Sequence, residues 1–407
     1  MYRTLQTFWR WPAFMLAMLL PLEAAAAPLT EGEVLRLGLS LPELSNLSRA
    51  RLDAAEADAI EAATWPNPAL ELSRDRPGAS REDTWRLAQP IDLSGRRGLR
   101  EDAARRRVDA VAAENRARQS GQATELRLAF HEVLKQQEAV RAIDNWVARF
   151  AKIGDVVGKL ARSGEASGYD KRRLVREQRT ADAKLAEARA DLERKRARLS
   201  ALLGLPAVSA DGVAGMLLPQ APAELPGLLA RLEQRPDLAA LAARAEAADN
   251  DNAAARRNFP EITVGVGHKR VDDGLTRESG PVLSLNIPLP LFDRQQGADR
   301  RTAAQAMAAR AEHRLARQKA EGELLGLHRQ VSQLIAAADR YRREAVAPSS
   351  DLVRIAEAAY RAGESTVLEL LDAYKGALET ETTALDLEWN AREASIELDQ
   401  LTGSHPQ

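Results

Sequence analysis

Two acidic residues near the C-terminus are spaced so that their carboxylates share one face of a helix. Glu369 and Asp372 are three residues apart, and residues at that separation are neighbours on a helix surface. In an oligomer built around a central opening, two such rings of carboxylates would attract cations and repel anions. The alternative is that both residues are ordinary charges on a solvated helix face.

Other residue types argue against catalysis. The histidines show no metal-ligand spacing among themselves, and the chain has no cysteine, which excludes disulfides, thiolate metal sites and a lipid on an N-terminal cysteine. We find no Ser–His–Asp pattern, glycine-rich phosphate loop or metalloprotease motif. We therefore expect neither an enzyme nor a bound cofactor, and the formal net charge of −1 gives no support for nucleic-acid binding. The histidines are His131, His268, His313, His328 and His405.

The first residues predict export from the cytoplasm. Arg3 and Arg10 provide positive charge, residues 11–22 form a short apolar stretch, and alanines 24–27 offer a cleavage site. We expect a signal peptide over 1–26, and an uncleaved anchor is the alternative. Farther along, no apolar run approaches the ~18 residues of a membrane helix. The two classes that remain possible are a soluble periplasmic protein and an outer-membrane β-barrel protein.

The chain repeats itself once. Residues 41–44 match 235–238 at an offset of 194, and residues 162–165 match 361–364 at an offset of 199. The second offset holds from Ser94 onward, which favours an internal duplication over chance similarity. The expected organisation is a signal peptide over 1–26, a first repeat over 27–204, an irregular connector over 205–222, a second repeat over 223–403 and a tail over 404–407.

Each copy is predicted to contain a helix, two strands, a very long helix and a returning helix. The first helices follow Pro42 and Pro236, because proline suits the first helical turn. The long helix over 96–162 contains no proline and would measure roughly 100 Å at 1.5 Å per residue. Its counterpart over 294–345 is expected to break or kink near Pro348.

Caps and turns delimit the long helices. Ser94 and Asp293 are predicted N-caps, and Gly164 and Gly363 are predicted turns at the far ends. The last returning helix carries a coiled-coil-like seam with apolar spacings of three, four and seven. Its members are Val367, Leu371, Tyr374, Leu378, Leu385, Trp389 and Ile396.

Four segments alternate apolar and polar residues with the period of two that is typical of strands. They cover 70–72, 85–93, 262–266 and 283–289, and polar loops over 75–82 and 270–280 join them in pairs. A single-chain membrane barrel needs at least eight strands, and open strand edges are not tolerated in a bilayer. Three copies would supply twelve strands and a lumen. The alternative is a periplasmic coiled-coil protein with an ordinary small sheet.

The duplicated layout, the prolines before each hairpin and the glycine turns resemble the TolC-like outer-membrane factor family over 29–403. The stretch 287–297 (IPLPLFDRQQG), together with 67–68 and 93–97, is similar to the CzcC-like heavy-metal branch. The resemblance implies a mainly α fold with a small membrane β part. The duplicated unit would form a homotrimer whose twelve-stranded β-barrel in the outer membrane continues as an α-helical barrel into the periplasm.

The resemblance also implies a gate at the periplasmic end. The last hairpin aligns with the family segment that holds a lock tyrosine and two lumen-facing aspartates, which gives these roles to Tyr360, Glu369 and Asp372. The relatives' lock arginine aligns with Ser365, and Arg361 is the candidate substitute.

The implied function is the exit duct of a tripartite efflux system that exports heavy-metal cations. Its partners would be other copies of itself, outer-membrane lipid, a periplasmic adaptor that contacts the hairpin tips at Gly164 and Gly363, and an inner-membrane resistance-nodulation-division transporter. Alternative cargoes are drugs or secreted polypeptides. The alternative from a different class is a non-channel periplasmic adaptor or scaffold, which would carry one hairpin flanked by β-rich modules.

Overall fold

The structure is a computed structural model that describes residues 28–163, 167–207, 212–257 and 259–403. The signal peptide predicted over 1–26, the predicted turn residue Gly164 and the tail over 404–407 lie outside these ranges. No helix in the described part combines the length and the apolarity needed to cross a membrane.

The same order of elements occurs twice along the chain. The first set is α1 (Glu31–Leu39), α2 (Pro42–Ala63), β1 (Ala69–Asp75), β2 (Arg81–Ile91), α3 (Arg96–Ser163) and α4 (Gly168–Leu203). The second set is α5 (Leu225–Leu232), α6 (Pro236–Ala255), β3 (Ile262–Asp272), β4 (Arg277–Asn286), α7 (Gln296–Tyr341), α8 (Ala347–Arg361) and α9 (Val367–Thr402). A π-helical turn, Arg342–Val346, separates α7 from α8.

The helix starts follow from local chemistry. Pro42 and Pro236 occupy the first turns of α2 and α6, where a missing N–H group removes no helical hydrogen bond. The short helix α1 is absent from the sequence-based prediction. Its signal is a capping box, in which Thr30 and Glu33 exchange backbone-to-side-chain hydrogen bonds of 2.8 and 3.4 Å.

Only one of the two predicted N-caps lies beside its helix. In the first copy, Asp92 and Ser94 accept hydrogen bonds from the first backbone N–H groups of α3, at 2.9 and 3.1 Å. The N-cap predicted at Asp293 is wrong, because α7 begins after Gln295, which has a φ of 59°. Asp293 instead accepts a 2.8 Å hydrogen bond from the N–H of Gln295 and closes a turn before the helix.

The break predicted near Pro348 is the π-helical turn. Pro348 has no N–H, so the carbonyl of Glu344 loses its helical partner, and the chain widens locally. Arg342, at the start of this turn, pairs with Glu388 at 2.6 Å and with Glu381 at 2.5 Å on α9. The hydrogen bonds to Glu388 and Glu381 raise the pKa of Arg342 and hold the widened turn against α9.

The four strands form one antiparallel sheet in the order β1-β2-β3-β4, so β2 and β3 join the two copies. Directly opposed residues form rows across the sheet, and the row Leu70, Leu87, Val266 and Leu283 is apolar and exposed. Among the described residues, β1 and β4 each have one edge with no strand beside it. The single chain therefore presents an apolar face and two open edges.

The second strand loop is shorter than the predicted loop over 270–280. β3 continues to Asp272 and β4 begins at Arg277, which leaves only four residues for the turn. An ion pair of 2.7 Å joins Asp272 to Arg277, and one of 2.6 Å joins Lys269 to Glu82. These strand ends are polar on both faces, which is why apolar alternation did not reveal them.

Several helices pack against α3, the longest of the described helices. α4 runs back along it, and α2, α6 and α9 contact it as well. Midway along α3, an apolar core surrounds Leu126 and Phe130. At the far end, a second cluster joins α3, α4, α8 and α9, and we call it the tip cluster. Its buried members are Trp146, Phe150, Ile153, Val157, Leu174, Ala181, Val353, Tyr360, Val367, Leu370, Leu371 and Tyr374.

An ionic network holds the N-terminal helix on the middle of α3. Arg127 is buried and pairs with Glu31 at 2.6 Å and with Asp399 of α9 at 2.9 Å. The ring of His131 lies 3.1 Å from the Glu31 carboxylate. Burial raises the pKa of Glu31, but the hydrogen bond and charge of His131, with those of Arg127, lower it to about 2. Glu31 therefore stays ionised and anchors α1.

Candidate functional site

The first turn of α9 holds one of the two predicted gate carboxylates. Thr366 is the N-cap, and its backbone N–H donates to the Glu369 carboxylate at 2.8 Å. The N–H of Glu369 donates back to the Thr366 hydroxyl at 3.3 Å. Glu369 therefore has a second role, because it closes a capping box that fixes the start of α9.

Asp372 lies on the same exposed side of α9. Glu369 and Asp372 are both exposed, whereas Leu370 and Leu371 between them are buried in the tip cluster. The helix therefore turns its apolar side toward α3 and its acidic side away from the chain. This arrangement leaves both carboxylates available to face a lumen in an assembly.

Tyr360 is on the buried side of the hairpin, apart from the acidic pair. It lies in the last turn of α8 inside the tip cluster, and burial, with the nearby charge of Asp170, raises its pKa. Gly363 follows with a φ of 78°, a left-handed conformation that suits glycine, and turns the chain toward α9. The structure thus brings Tyr360 and Gly363 to one end of the molecule, beside the first turn of α4.

Arg361 does not pair with Tyr360 in the described contacts. It forms an ion pair of 3.2 Å with Glu357, and the hydroxyl of Tyr374 donates to the same carboxylate at 2.6 Å. Burial and this hydrogen bond raise the pKa of Tyr374. The resulting Arg361–Glu357–Tyr374 network ties α8 to α9 within the second hairpin.

A second tie connects the two hairpins, and sequence reasoning missed it. Lys375 of α9 pairs at 2.7 Å with Glu177 of α4, which also pairs with Arg176 at 2.8 Å. The hydrogen bond from Lys375 is the main reason why the pKa of Glu177 is lowered. The sequence feature that could have revealed this tie is a charged residue on the apolar face of α4. Glu177 lies three residues after Leu174 and four before Ala181, and both of these are buried.

We predict that breaking this tie loosens the tip. In the Lys375→Met variant Glu177 keeps only Arg176, and a buried carboxylate that loses a partner is destabilised. The variant should therefore conduct more in the closed state, measured as resting conductance in planar bilayers. The double swap of Glu177→Lys with Lys375→Glu should restore tight closure.

Lys319→Met is the matched control for this prediction. Lys319 pairs with Glu323 at 3.6 Å along the exposed surface of α7, and exposed pairs of this kind contribute little. Equal leakage in the Lys319 and Lys375 variants would contradict the assignment of the tie.

The sheet has opposite chemistry on its two faces. The exposed apolar row lies on one face, and the other carries ion pairs between neighbouring strands, Glu71 with Arg86 and Glu82 with Lys269. Strands between lipid and water alternate in this way. Within the described ranges, no group of three or more His, Asp and Glu residues is close enough to hold a metal ion.

Comparison with known proteins agrees with this geometry. The family model described as outer membrane efflux protein matches residues 229–404. The cobalt-zinc-cadmium resistance protein CzcC of Cupriavidus metallidurans is 30% identical over 388 residues, which cover 93% of this chain and 91% of that protein. The nickel and cobalt resistance protein CnrC of the same organism is 27% identical over 310 residues, which cover 70% of this chain and 71% of that protein.

The fold has close counterparts among solved structures. The outer membrane protein VceC of Vibrio cholerae superposes with a TM-score of 0.76 at 18% identity, covering 92% of this chain and 96% of that chain. The fold predicted from the sequence, mainly α-helical with a small β part, is therefore confirmed. With this fold and near full-length similarity to a relative of the family, the chain belongs to the outer membrane efflux protein family and is an efflux channel of the outer membrane.

Proposed function

We propose that the protein is the trimeric exit duct of a tripartite efflux system and that its cargo is heavy-metal cations. The observation that carries the duct is the sheet, which combines an exposed apolar face with two open edges on a chain of four strands. Such edges are not tolerated in lipid, and three copies would close them as a twelve-stranded barrel. The long helices then extend the duct into the periplasm.

Metal cations are the proposed cargo because of the named relatives. CzcC and CnrC, which align with most of this chain, are resistance proteins for cobalt, zinc and cadmium and for nickel and cobalt. A duct has no need to bind its cargo tightly, since release into the medium requires weak interactions. We therefore place ion selection mainly in an inner-membrane transporter, connected through a periplasmic adaptor at the hairpin tips.

The proposed gate is the exposed acidic face of α9. In a trimer, Glu369 and Asp372 would form two rings of three carboxylates at the narrow periplasmic end. Tyr360 would act behind this face, by packing the hairpin against its neighbours, because it is buried rather than exposed. The same end would meet the adaptor, at the turn that contains Gly363 and at the predicted turn residue Gly164.

Metal tolerance tests the proposed cargo. Cells that lack this chain should become more sensitive to Co²⁺, Zn²⁺ or Cd²⁺, and the wild-type chain should restore growth, measured as minimal inhibitory concentration. Tolerance to hydrophobic drugs serves as the control and should change little. If drug tolerance falls while metal tolerance does not, the cargo is drugs, and the metal assignment is wrong.

A further inference from the structure

An arginine lies at the middle of the sheet, on the face opposite the exposed apolar row. Arg86 is at the centre of β2, and its neighbours Trp85 and Leu87 are exposed on the apolar face. Since side chains of successive strand residues point to opposite faces, Arg86 projects from the other face, which we call the polar face. In the proposed duct the polar face is the inner wall of the β part, so Arg86 lies beside the path of the cargo.

Glu71 of the neighbouring strand binds this arginine. Glu71 and Arg86 are directly opposed in the β1–β2 pair. The Nε–H group of Arg86 donates to the Glu71 carboxylate at 2.8 Å, and Nη2 of Arg86 donates to the same oxygen. The side chains of Arg86 and Glu71 remain 35% and 47% exposed, so water reaches both. The positive charge of Arg86 is thus compensated at its own level of the sheet.

Two glycines of β3 leave the space that the Arg86 side chain occupies. A Cβ atom at Gly265 would lie 2.9 Å from Cδ and 3.1 Å from Cγ of Arg86. A Cβ atom at Gly267 would lie 3.0 Å from Cβ of Arg86 and would also meet the backbone of β2. Glycine inside a strand often marks a close approach by another group, and here that group is Arg86. A side chain at Gly265 would push the arginine away from the wall.

The second cation of the polar face is paired in the same way. Lys269 of β3 lies diagonally across from Glu82 of β2 and pairs with it at 2.6 Å. Arg86 and Lys269 are the two cations among the strand residues of this face, and carboxylates outnumber them. The carboxylates are Glu71, Asp75, Glu82 and Glu278. The polar face is therefore negative in sum, and each of its cations is bound to a carboxylate.

We propose that Glu71, with the space left by Gly265 and Gly267, holds Arg86 against the inner wall and thereby keeps the β part of the duct permeable to cations. The inference rests on the trimeric duct for metal cations proposed above, and it adds an ion pair that sets charge selectivity in the β part. In a trimer, three Arg86 side chains would lie at one level of the lumen. Rings of uncompensated arginine repel cations and are typical of pores for anions.

A pair that only stabilised the sheet would behave differently from a pair that compensates a wall charge. If Glu71 and Arg86 only joined β1 to β2, removing either charge would have the same effect on the channel. If Glu71 compensates Arg86, the two removals act in opposite directions. Glu71→Gln leaves a cation on the wall, whereas Arg86→Gln leaves a carboxylate there.

Reversal potentials in planar bilayers test the proposal through the sign of these effects. Glu71→Gln should lower the ratio of cation to anion permeability several-fold, and Arg86→Gln should raise it. The double variant should return the ratio to the wild-type value. All shifts should shrink as salt is added, because the Debye length falls from ~30 Å at ~0.01 M to ~3 Å at ~1 M.

Asp83→Asn is the matched control, because Asp83 pairs with Arg74 and Arg81 on the opposite face of the same two strands, at 2.5 and 3.0 Å. This variant should leave selectivity unchanged. An equal shift for Asp83→Asn, no shift for Glu71→Gln, or shifts of the same sign for Glu71→Gln and Arg86→Gln would overturn the inference in a conducting trimer and leave the duct in place. A wild-type protein that is not trimeric or forms no pore would overturn both.

Gly265→Ala provides an independent measurement of the space below the arginine. The added methyl group should displace Arg86 toward the lumen, so single-channel conductance and cation preference should both fall. In an Arg86→Ala background the methyl group has no long side chain to displace, and Gly265→Ala should then change neither quantity. Losses of the same size with and without Arg86 would overturn the role of Gly265 in seating the arginine.

Discussion

Replacing Glu369 by Gln and Asp372 by Asn together should reduce the preference of the open channel for cations. In the proposed trimer this variant removes two rings of three carboxylates from the narrow end. A cation about 4 Å from one carboxylate in water gains about 1 kcal/mol, which corresponds to roughly fivefold in local occupancy. We therefore expect the ratio of cation to anion permeability to fall roughly fivefold or more.

The choice of substitution follows from the capping box. Glutamine at position 369 can still accept the hydrogen bond from the N–H of Thr366, so the start of α9 keeps its cap. Alanine at 369 would remove the charge and also the acceptor for the N–H of Thr366, which is one of the two hydrogen bonds of the capping box. The isosteric variant therefore isolates the charge.

Reversal potentials in planar bilayers are the measurement for this prediction, at one salt concentration because salt screens surface charge. The matched control replaces Glu187 and Glu193 by Gln, since both are exposed on α4 and lie more than five turns from its start. If the wild type and the variant of Glu369 and Asp372 have equal selectivity, these two residues are ordinary surface charges and do not set the cation preference.

Leu283→Arg should strongly reduce assembly into the outer membrane. Leu283 lies at the end of the exposed row that continues through Val266, Leu87 and Leu70, which we assign to the lipid side. An arginine near the bilayer midplane on the lipid face of a barrel costs about 2 to 4 kcal/mol per chain. A trimer would carry three such residues, so the loss is expected to be large.

Ser284→Arg is the control for this prediction. Ser284 is the next residue of β4, and side chains of successive strand residues point to opposite faces. An arginine there would enter the aqueous side and should be tolerated. The measurement is the amount of detergent-resistant trimer in outer-membrane extracts. Similar losses for both variants would contradict the assignment of a lipid face to this sheet. A greater loss for Ser284→Arg would mean that the lipid and aqueous faces are the reverse of those assigned.

Much of the fold follows from features that act locally in sequence. Proline at a first helical turn and glycine in a left-handed turn mark where α2, α6 and α9 begin or where the chain reverses. The seam predicted on the last helix is the face that α9 packs inward, since Val367, Leu371 and Tyr374 are buried there. These features depend on backbone geometry and on helical periodicity, which the sequence displays directly.

The details that escaped prediction depend on partners distant in the chain. The ends of β3 and β4 are held by ion pairs such as Lys269 with Glu82, so these ends cannot be recognised from the alternation of apolar residues. The tie between Lys375 and Glu177 joins residues of two different hairpins, so no local spacing connects them.

The number of copies in the purified protein tests the central claim most directly. A chain with four strands and two open edges should form a trimer in mild detergent, and the same preparation should produce uniform conductance steps in planar bilayers. The measurement is the mass of the protein in the detergent complex, for example by light scattering with the detergent contribution subtracted. Three copies with a conducting pore is the result that the exit duct predicts, and a stable monomer or dimer would contradict it.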